Sequence, residues 1–146
     1  MNARTALALT LASASLMLGG CETLGLGDSA SAATAGDLGL SLNNGEKWQL
    51  DDISRNAMAT LNELVDGAKL DSLESAAALG DKLKATVADM MNTTTLAGAA
   101  REQLDTFVGK FTPTLDSLAG AANLEAAQGA LAQIKTMLAS FNSVFQ

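Results

Sequence analysis

The sequence has no histidine and no tyrosine, and its single cysteine is Cys21. Histidine is the most common general base, and with cysteine it supplies most nucleophile systems and zinc sites in proteins. A lone thiol also has no partner for an intrachain disulfide. Only carboxylates, lysine, serine and threonine remain for chemistry. The composition therefore predicts a protein that is not an enzyme, with no catalytic residue, no metal site and no bound cofactor.

Basic residues are scarce as well. The 146 residues include 9 lysines and arginines against 16 acidic residues, which gives a formal net charge of −7 at pH 7. Arg4 is the one charged residue among the first 20, so the rest of the chain carries 8 − 16 = −8. Nucleic-acid binding needs basic patches that neutralise phosphates. The charge balance therefore predicts no nucleic-acid partner.

Residues 1–20 have the three parts of a secretory signal peptide. Arg4 supplies a positive charge near the start, residues 6–18 are uncharged and predominantly apolar, and two small residues, Gly19 and Gly20, follow. This run of 13 residues is shorter than the roughly 20 that a membrane-spanning helix needs. We therefore expect residues 1–20 to be removed by cleavage between Gly20 and Cys21.

The motif Leu18-Gly19-Gly20-Cys21 resembles the lipobox of bacterial lipoproteins. The resemblance implies that the Cys21 thiol receives a diacylglyceryl group and that the new amino group is acylated, for example with palmitate. Each buried methylene contributes about 0.8 kcal/mol, so several acyl chains anchor a protein stably. Two alternatives stay open: a transmembrane anchor, and a cysteine that follows an ordinary signal peptide by chance.

The residue after the cysteine bears on location. In lipoproteins of enteric-type bacteria, aspartate at this position favours retention in the inner membrane, whereas this sequence has Glu22. The resemblance therefore implies a lipid-anchored protein of the cell envelope, in the outer membrane and facing the periplasm.

Residues 21–44 comprise the cysteine to be lipidated and a segment rich in glycine, serine, alanine and threonine. This composition predicts a flexible linker with a root-mean-square span of roughly 25–30 Å. Leu38, Leu40 and Leu42 alternate with small residues, which leaves a short strand-like segment on the domain as an alternative. Residues 45–146 are then expected to form the folded domain.

Apolar residues spaced by three and four predict four amphipathic helices in this domain, the first from Asp52 to Asp66. Asp51 or Asp52 is expected to cap the first helix, and Asp71 and Glu74 to form a capping box for the second. Asn123 is the expected cap of the fourth. The predicted core stripes are Ile53, Ala57, Leu61, Leu64 and Ala68; Leu73, Ala76, Gly80, Leu83, Val87 and Met90; Ala97, Ala100, Leu104, Phe107 and Phe111; and Leu124, Ala127, Leu131, Ile134, Leu138, Phe141 and Phe145.

These stripes and their short connections predict an all-α fold, an antiparallel up-down four-helix bundle that follows the signal peptide and linker. Pro113, the one proline, is expected to end the third helix or to start a separate short turn. A three-helix domain with one long bent element is the alternative fold.

Trp48 is the only tryptophan and precedes the first helix. We expect it to cap one end of the core, with an exposed recognition anchor as the alternative. In the up-down order, Trp48 should share an end with Phe141 and Phe145. Phe107 and Phe111 should lie at the opposite end.

The functional expectation is a non-enzymatic interaction or accessory module of the envelope. Its expected partners are the membrane, through the lipid anchor, and an envelope protein; the oligomeric state stays open. The segment 42–48 is similar to the opening of small helical domains of bacterial envelope proteins, a resemblance that implies no function. One alternative is a bundle that binds a lipid or quinone between its helices. Another is an enzyme that uses carboxylate pairs such as Asp51-Asp52 or Glu63 and Asp66.

Overall fold

The computed structural model describes residues 34–146, so Gly20, Cys21 and the predicted signal peptide lie outside the described residues. The described part contains four helices: α1 (Asp52–Asp66), α2 (Leu73–Thr93), α3 (Gly98–Ala119) and α4 (Leu124–Val144). Consecutive helices pack together, α4 returns to α1, and α2 also meets α4 across the bundle. The predicted all-α four-helix fold is confirmed. We call the end where α1 and α3 begin the near end, and the end where α2 and α4 begin the far end.

The helix starts show how local polar side chains set the boundaries. The predicted caps Asp51 and Asn123 are confirmed, since each accepts a hydrogen bond from the amide three residues later. Helix α2, however, is capped by Ser72 rather than Asp71. The Ser72 hydroxyl accepts from the Ser75 amide, and the Ser75 hydroxyl accepts from the Ser72 amide. This reciprocal pair satisfies both amides and places the capping box one residue later than predicted.

Helix α3 does not end at Pro113 but continues to Ala119. An internal proline lacks the amide proton and crowds the carbonyl four residues earlier, at a cost of about 3 kcal/mol. The turn beyond it carries Leu115 and Leu118, and both are fully buried. Burying a leucine contributes about 1.5–3 kcal/mol. The two leucines together therefore offset the cost of the proline, which the local sequence rule does not include.

The aromatic side chains form one row along the core. The ring centroids of Phe107 lie 4.8 Å from Phe111 and 4.6 Å from Phe141, and those of Phe141 and Phe145 lie 4.2 Å apart. Trp48 forms a parallel bridge with Phe145, so it shares an end with Phe141 and Phe145 as predicted. The placement of Phe107 and Phe111 at the opposite end was wrong. Because α3 continues past the proline, Phe107 lies near the middle of the helix and reaches Phe141.

The buried face of α1 is rotated by one residue from the predicted stripe. Ile53 is 38% exposed, whereas Ser54 is fully buried. Ser54 is accommodated because its hydroxyl makes a 2.8 Å hydrogen bond with that of Thr94. The residues that α1 buries are Ser54, Met58, Leu61 and Val65. The other three stripes match the buried faces, apart from the exposed Leu73, Ala97 and Leu124 at the helix starts and the half-buried Ala100 and Leu131.

The N-terminal segment, residues 34–50, packs against the bundle. Leu38 and Leu40 are only 4% and 6% exposed and belong to the core. A turn holds them: the Leu38 amide donates to the carbonyl of Thr34, and Gly39 has a φ of 73°, which glycine adopts without strain. Residues 34–44, predicted to belong to the linker, are thus part of the packed unit. Their leucines find apolar partners that composition alone does not reveal.

Replacing Leu40 with alanine should lower the free energy of unfolding by about 2–4 kcal/mol, because a buried side chain leaves a cavity. Leu42→Ala is the matched control two residues later, since Leu42 is 44% exposed, and we expect it to cost less than about 0.5 kcal/mol. Urea denaturation followed by circular dichroism measures both. Equal effects would contradict the packing of the N-terminal segment.

Helices α2 and α3 approach closely at Gly80. A Cβ atom built on Gly80 would lie 2.8 Å from the Cβ of Ala119 and 2.9 Å from its backbone nitrogen. Real Cβ atoms do not approach so closely, so the two helices must separate if a side chain is added. Glycine at this position is therefore needed for close helix packing, despite its low helix propensity.

We expect Gly80→Ala to destabilise the protein by about 1–3 kcal/mol, the usual cost of overpacking a core. Gly129→Ala is the control: it lies on α4, and an added Cβ would meet nothing within 4 Å. There, better helix propensity should stabilise by about 0.5–1 kcal/mol. Opposite signs in chemical denaturation are the expected result. A stabilising Gly80→Ala would show that the contact relaxes freely.

Candidate functional site

Trp48 joins the N-terminal segment to the end of α4. Its indole Nε1 donates a 2.7 Å hydrogen bond to the carbonyl of Ser41. Its amide donates to the carbonyl of Val144, and its carbonyl accepts from the Gln146 amide at 2.9 Å. The side chain is half-buried against the core. These contacts favour an end cap for Trp48 over a recognition anchor, because its indole donor is already used.

Further bonds hold the N-terminal segment to two helices at the near end. The Ser41 amide donates to Oε1 of Gln103 in α3 at 2.9 Å, and Nζ of Lys47 donates to the carbonyl of Asn142 in α4 at 2.8 Å. The chain that arrives from Cys21 is thus attached to the bundle at its near end.

Asp51 is the most strongly bound carboxylate of the described chain. Its Oδ1 accepts from the Ser54 amide, and its Oδ2 accepts from the Thr94 hydroxyl and from both the amide and the hydroxyl of Thr95. Burial alone would raise the pKa of Asp51, but the hydrogen bonds from Ser54 and Thr95 outweigh it and hold the pKa well below its usual value.

These contacts bear on the predicted carboxylate pair. A general acid needs a raised pKa, and that of Asp51 is lowered. Its neighbour Asp52 has a side chain 91% exposed and pairs with Arg55 at 2.8 Å. The second pair, Glu63 and Asp66, lies on the exposed face of α1, where Asp66 is 4.0 Å from Lys135. The geometry gives Asp51 a structural role that joins α1 to the loop between α2 and α3.

We expect Asp51→Asn to lower the free energy of unfolding at pH 7 by about 1–3 kcal/mol, because charge-assisted hydrogen bonds are lost. A carboxylate whose folded pKa is lowered stabilises above its unfolded pKa, about 3.9, and this stabilisation is lost as pH falls through the folded value. The variant should therefore lose less stability than the wild type between pH 5 and 2.

Asp52→Asn is the control for this experiment, since it removes an adjacent charge that is exposed. It should change the free energy of unfolding at pH 7, and the loss of stability between pH 5 and 2, by no more than about 0.5 kcal/mol. Thermal unfolding as a function of pH measures both variants. An Asp51→Asn protein that loses as much stability as the wild type between pH 5 and 2 would refute the structural role of the Asp51 carboxylate.

A depression of about 330 Å³ lies at the far end, where the end of α1, the following loop and the start of α2 meet. Its apolar wall consists of Leu64, Leu70 and Leu79, each half-buried. Lys69 and Lys82 also line it, and both are exposed. The depression thus combines an apolar surface with two cations, and we name it the α1–α2 depression.

The two cations are unusual in this chain. Between residues 34 and 146, the other basic residues mostly have partners: Arg55 pairs with Asp52, Lys84 with Asp81 and Asp116, Arg101 with Asp105, Lys135 with Asp66, and Lys47 binds a carbonyl. Within that range, the ammonium groups of Lys69, Lys82 and Lys110 make no ion pair or hydrogen bond to the protein. Two of these three therefore line the same depression.

Two other surface depressions differ in their chemistry. One, of about 450 Å³, lies towards the near end, between the first half of α1 and the last turns of α2. It is lined by Ile53 and Thr60, and its charged lining residue is Asp89. The other, of about 290 Å³, lies between α2 and α3 beside Lys84, whose ammonium group is shared between Asp81 and Asp116 at 3.2 Å each. Neither offers an unpaired cation, so the α1–α2 depression is the stronger candidate for binding.

The predicted core stripes do not include this depression, although the sequence carries one signal for it. Ser75, Ala78, Leu79 and Lys82 are spaced by three, four and seven, which places them on one outer face of α2. That face lies beside the core stripe and was not assigned. The position of Leu70 and Lys69 depends on the path of the loop after α1, for which the sequence gives no rule.

No family model, curated protein or solved structure matches the chain. Within residues 34–146, no helix is long and apolar enough to cross a bilayer. In the same range, no group of three histidine, cysteine or carboxylate side chains is arranged to hold a metal ion. Any functional role must therefore be inferred from the residues and their contacts.

Proposed function

We propose that this chain is a lipoprotein of the bacterial envelope, anchored through acylated Cys21 in the outer membrane and facing the periplasm. In this proposal it acts without catalysis, as an interaction or accessory module. The lipobox-like motif at residues 18–21 supports the anchor. The main support for an interaction module is the attachment of the N-terminal segment to the near end, through Trp48 and its neighbours.

This attachment limits where the domain can lie. Twelve residues, and so thirteen Cα-to-Cα steps, separate Cys21 from Thr34, the first described residue. A fully extended chain spans at most about 3.6 Å per residue, so Thr34 stays within about 45 Å of an anchored Cys21. The near end then receives the tether, and the far end is left accessible to partners.

The distribution of charge and reactive groups supports a non-catalytic role. Asp51 is committed to hydrogen bonds at a helix junction. The far end instead presents apolar surface. Leu73 and Leu124 are 41% and 37% exposed there, and the α1–α2 depression lies at the same end. Apolar surface next to unpaired cations is suited to recognition rather than to acid–base chemistry.

Cys21→Ser should move the protein from the membrane fraction to the soluble fraction and abolish labelling by an alkyne analogue of palmitate. The physical reason is the loss of the acyl chains, each methylene of which contributes about 0.8 kcal/mol to membrane binding. Cell fractionation and in-gel fluorescence measure the two effects.

The matched control is the double variant Cys21→Ser, Ser31→Cys, which keeps one thiol but moves it away from residues 18–21. We expect it to behave as Cys21→Ser does. Labelling of Cys21→Ser or of the double variant would contradict an anchor at Cys21.

Crosslinking in intact cells tests the interaction module itself. A photoreactive amino acid placed at Leu73 or Leu124 should give discrete adducts with one partner, whereas the same group at Asn44, an exposed residue of the near end, should not. Adducts from Asn44 alone, or none from any position, would contradict docking through the far end.

A further inference from the structure

We propose that the α1–α2 depression binds an amphipathic anion, namely a single medium-length acyl chain with an anionic head group. This inference adds a ligand to the proposed interaction module. It does not depend on the lipid anchor at Cys21, because the depression is formed by residues 64–82 alone.

The apolar part of the ligand is inferred from three leucines. Leu64, Leu70 and Leu79 pack against the core with one side and remain partly exposed with the other. They face the same depression from the end of α1, the loop and the first half of α2. An acyl chain lying there would remove this shared apolar surface from water, which is the main driving force for such binding.

The charge of the head group is inferred from the lysines. Lys69 and Lys82 lie in the lining and have no carboxylate partner among the described residues. The nearest acidic residues along the chain do not line the depression: Asp66 is 4.0 Å from Lys135, Asp81 pairs with Lys84 at 3.2 Å, and Asp71 and Glu74 are exposed. An anion would therefore meet two positive charges that no lining carboxylate neutralises.

The size of the depression favours a small ligand over a protein. Nine residues line it, whereas a stable protein interface uses about 20–30 residues on each side. Its volume of about 330 Å³ is at the lower end of the range for small-molecule sites, about 300–1,000 Å³. A single chain of medium length fits this volume better than a lipid with two long chains.

The first test compares three probes with the same 12-carbon chain: laurate, dodecanol and dodecyltrimethylammonium. The two charged probes are titrated below their micellar concentrations, and dodecanol below its solubility limit, into residues 21–146 carrying Cys21→Ser, which removes the acylation site. Amide chemical shifts should change mainly within residues 64–82 on addition of laurate. We expect laurate to bind about 10-fold more tightly than the cationic probe.

The second test removes the charges. The double variant Lys69→Gln, Lys82→Gln should weaken laurate binding by about 10-fold, and dodecanol binding should change by less than about 2-fold. Lys110→Gln is the matched control, since Lys110 is also unpaired but lies on α3 outside the depression. It should leave laurate affinity within about 2-fold of wild type.

The third test fills the depression without touching the core. Ala78 and Ala88 are both exposed on α2, ten residues apart, but only Ala78 lines the α1–α2 depression. Ala78→Leu should weaken laurate binding by at least about 5-fold by occupying the space, and Ala88→Leu should not. Both variants should keep the wild-type unfolding midpoint, which shows that the fold is intact.

Equal affinity for laurate and the cationic probe would overturn the proposal, as would equal losses in the Lys69, Lys82 variant and in Lys110→Gln. If laurate does not bind but the Ala78→Leu variant loses the crosslinked partner, the occupant is a protein and the proposal is wrong. Failure of the lipid anchor is shown separately, by the absence of palmitate labelling in the wild-type protein, so the two failures are distinguishable.

Discussion

The Asp51 carboxylate is the contact on which the near end depends. One side chain caps α1 and also binds Thr94 and Thr95, which lie between α2 and α3. Helix α3 has no side-chain cap of its own: Ala97 occupies its N-cap position, and Gly98 has a φ of 59°. The direction in which α3 leaves the loop is therefore set largely by bonds to Asp51. Three helices meet at a junction whose central group is an anion, which fits the lowered pKa of that carboxyl.

The two ends of the bundle are built differently. At the near end, the N-terminal segment, the end of α4 and the start of α1 are joined through Trp48, Leu50 and Gln146. At the far end, α2 and α4 begin at Ser72 and Asn123, whose hydrogen bonds stay within their own helices. Bonds within one helix do not fix the position of one helix relative to another. The α1–α2 depression lies at this less tightly joined end, next to the loop after α1.

Sequence patterns predicted several features that depend on local chemistry. The bounds of α1 and the caps Asp51 and Asn123 follow from side chains within a few residues of each site. Features that depend on distant partners were missed. Ser54 is buried because Thr94, 40 residues later, satisfies its hydroxyl. Helix α3 passes Pro113 because leucines beyond it reach the core.

The candidate site shows the same division. Half of the α1–α2 depression, the face of α2 from Ser75 to Lys82, could be identified from helical spacing. The rest comes from Leu64 at the end of α1 and from the loop between α1 and α2, and the contribution of the loop appears only in the folded chain. The unpaired state of Lys69 and Lys82 also requires the structure, because five acidic residues lie between positions 63 and 81.

The aromatic row explains why a ligand would bind on the surface rather than between the helices. Phe107, Phe111 and Phe141 are fully buried and in mutual contact through Phe107, so side chains occupy the centre of the bundle. An internal site there would require these rings to move, and displacing well-packed core side chains is costly. The α1–α2 depression requires no such movement, because its leucines are already half-exposed. Its lysines are exposed too, so their attraction for an anion is screened by salt. The apolar wall must therefore supply much of the binding affinity. The two positive charges supply the selectivity for an anion over a cation.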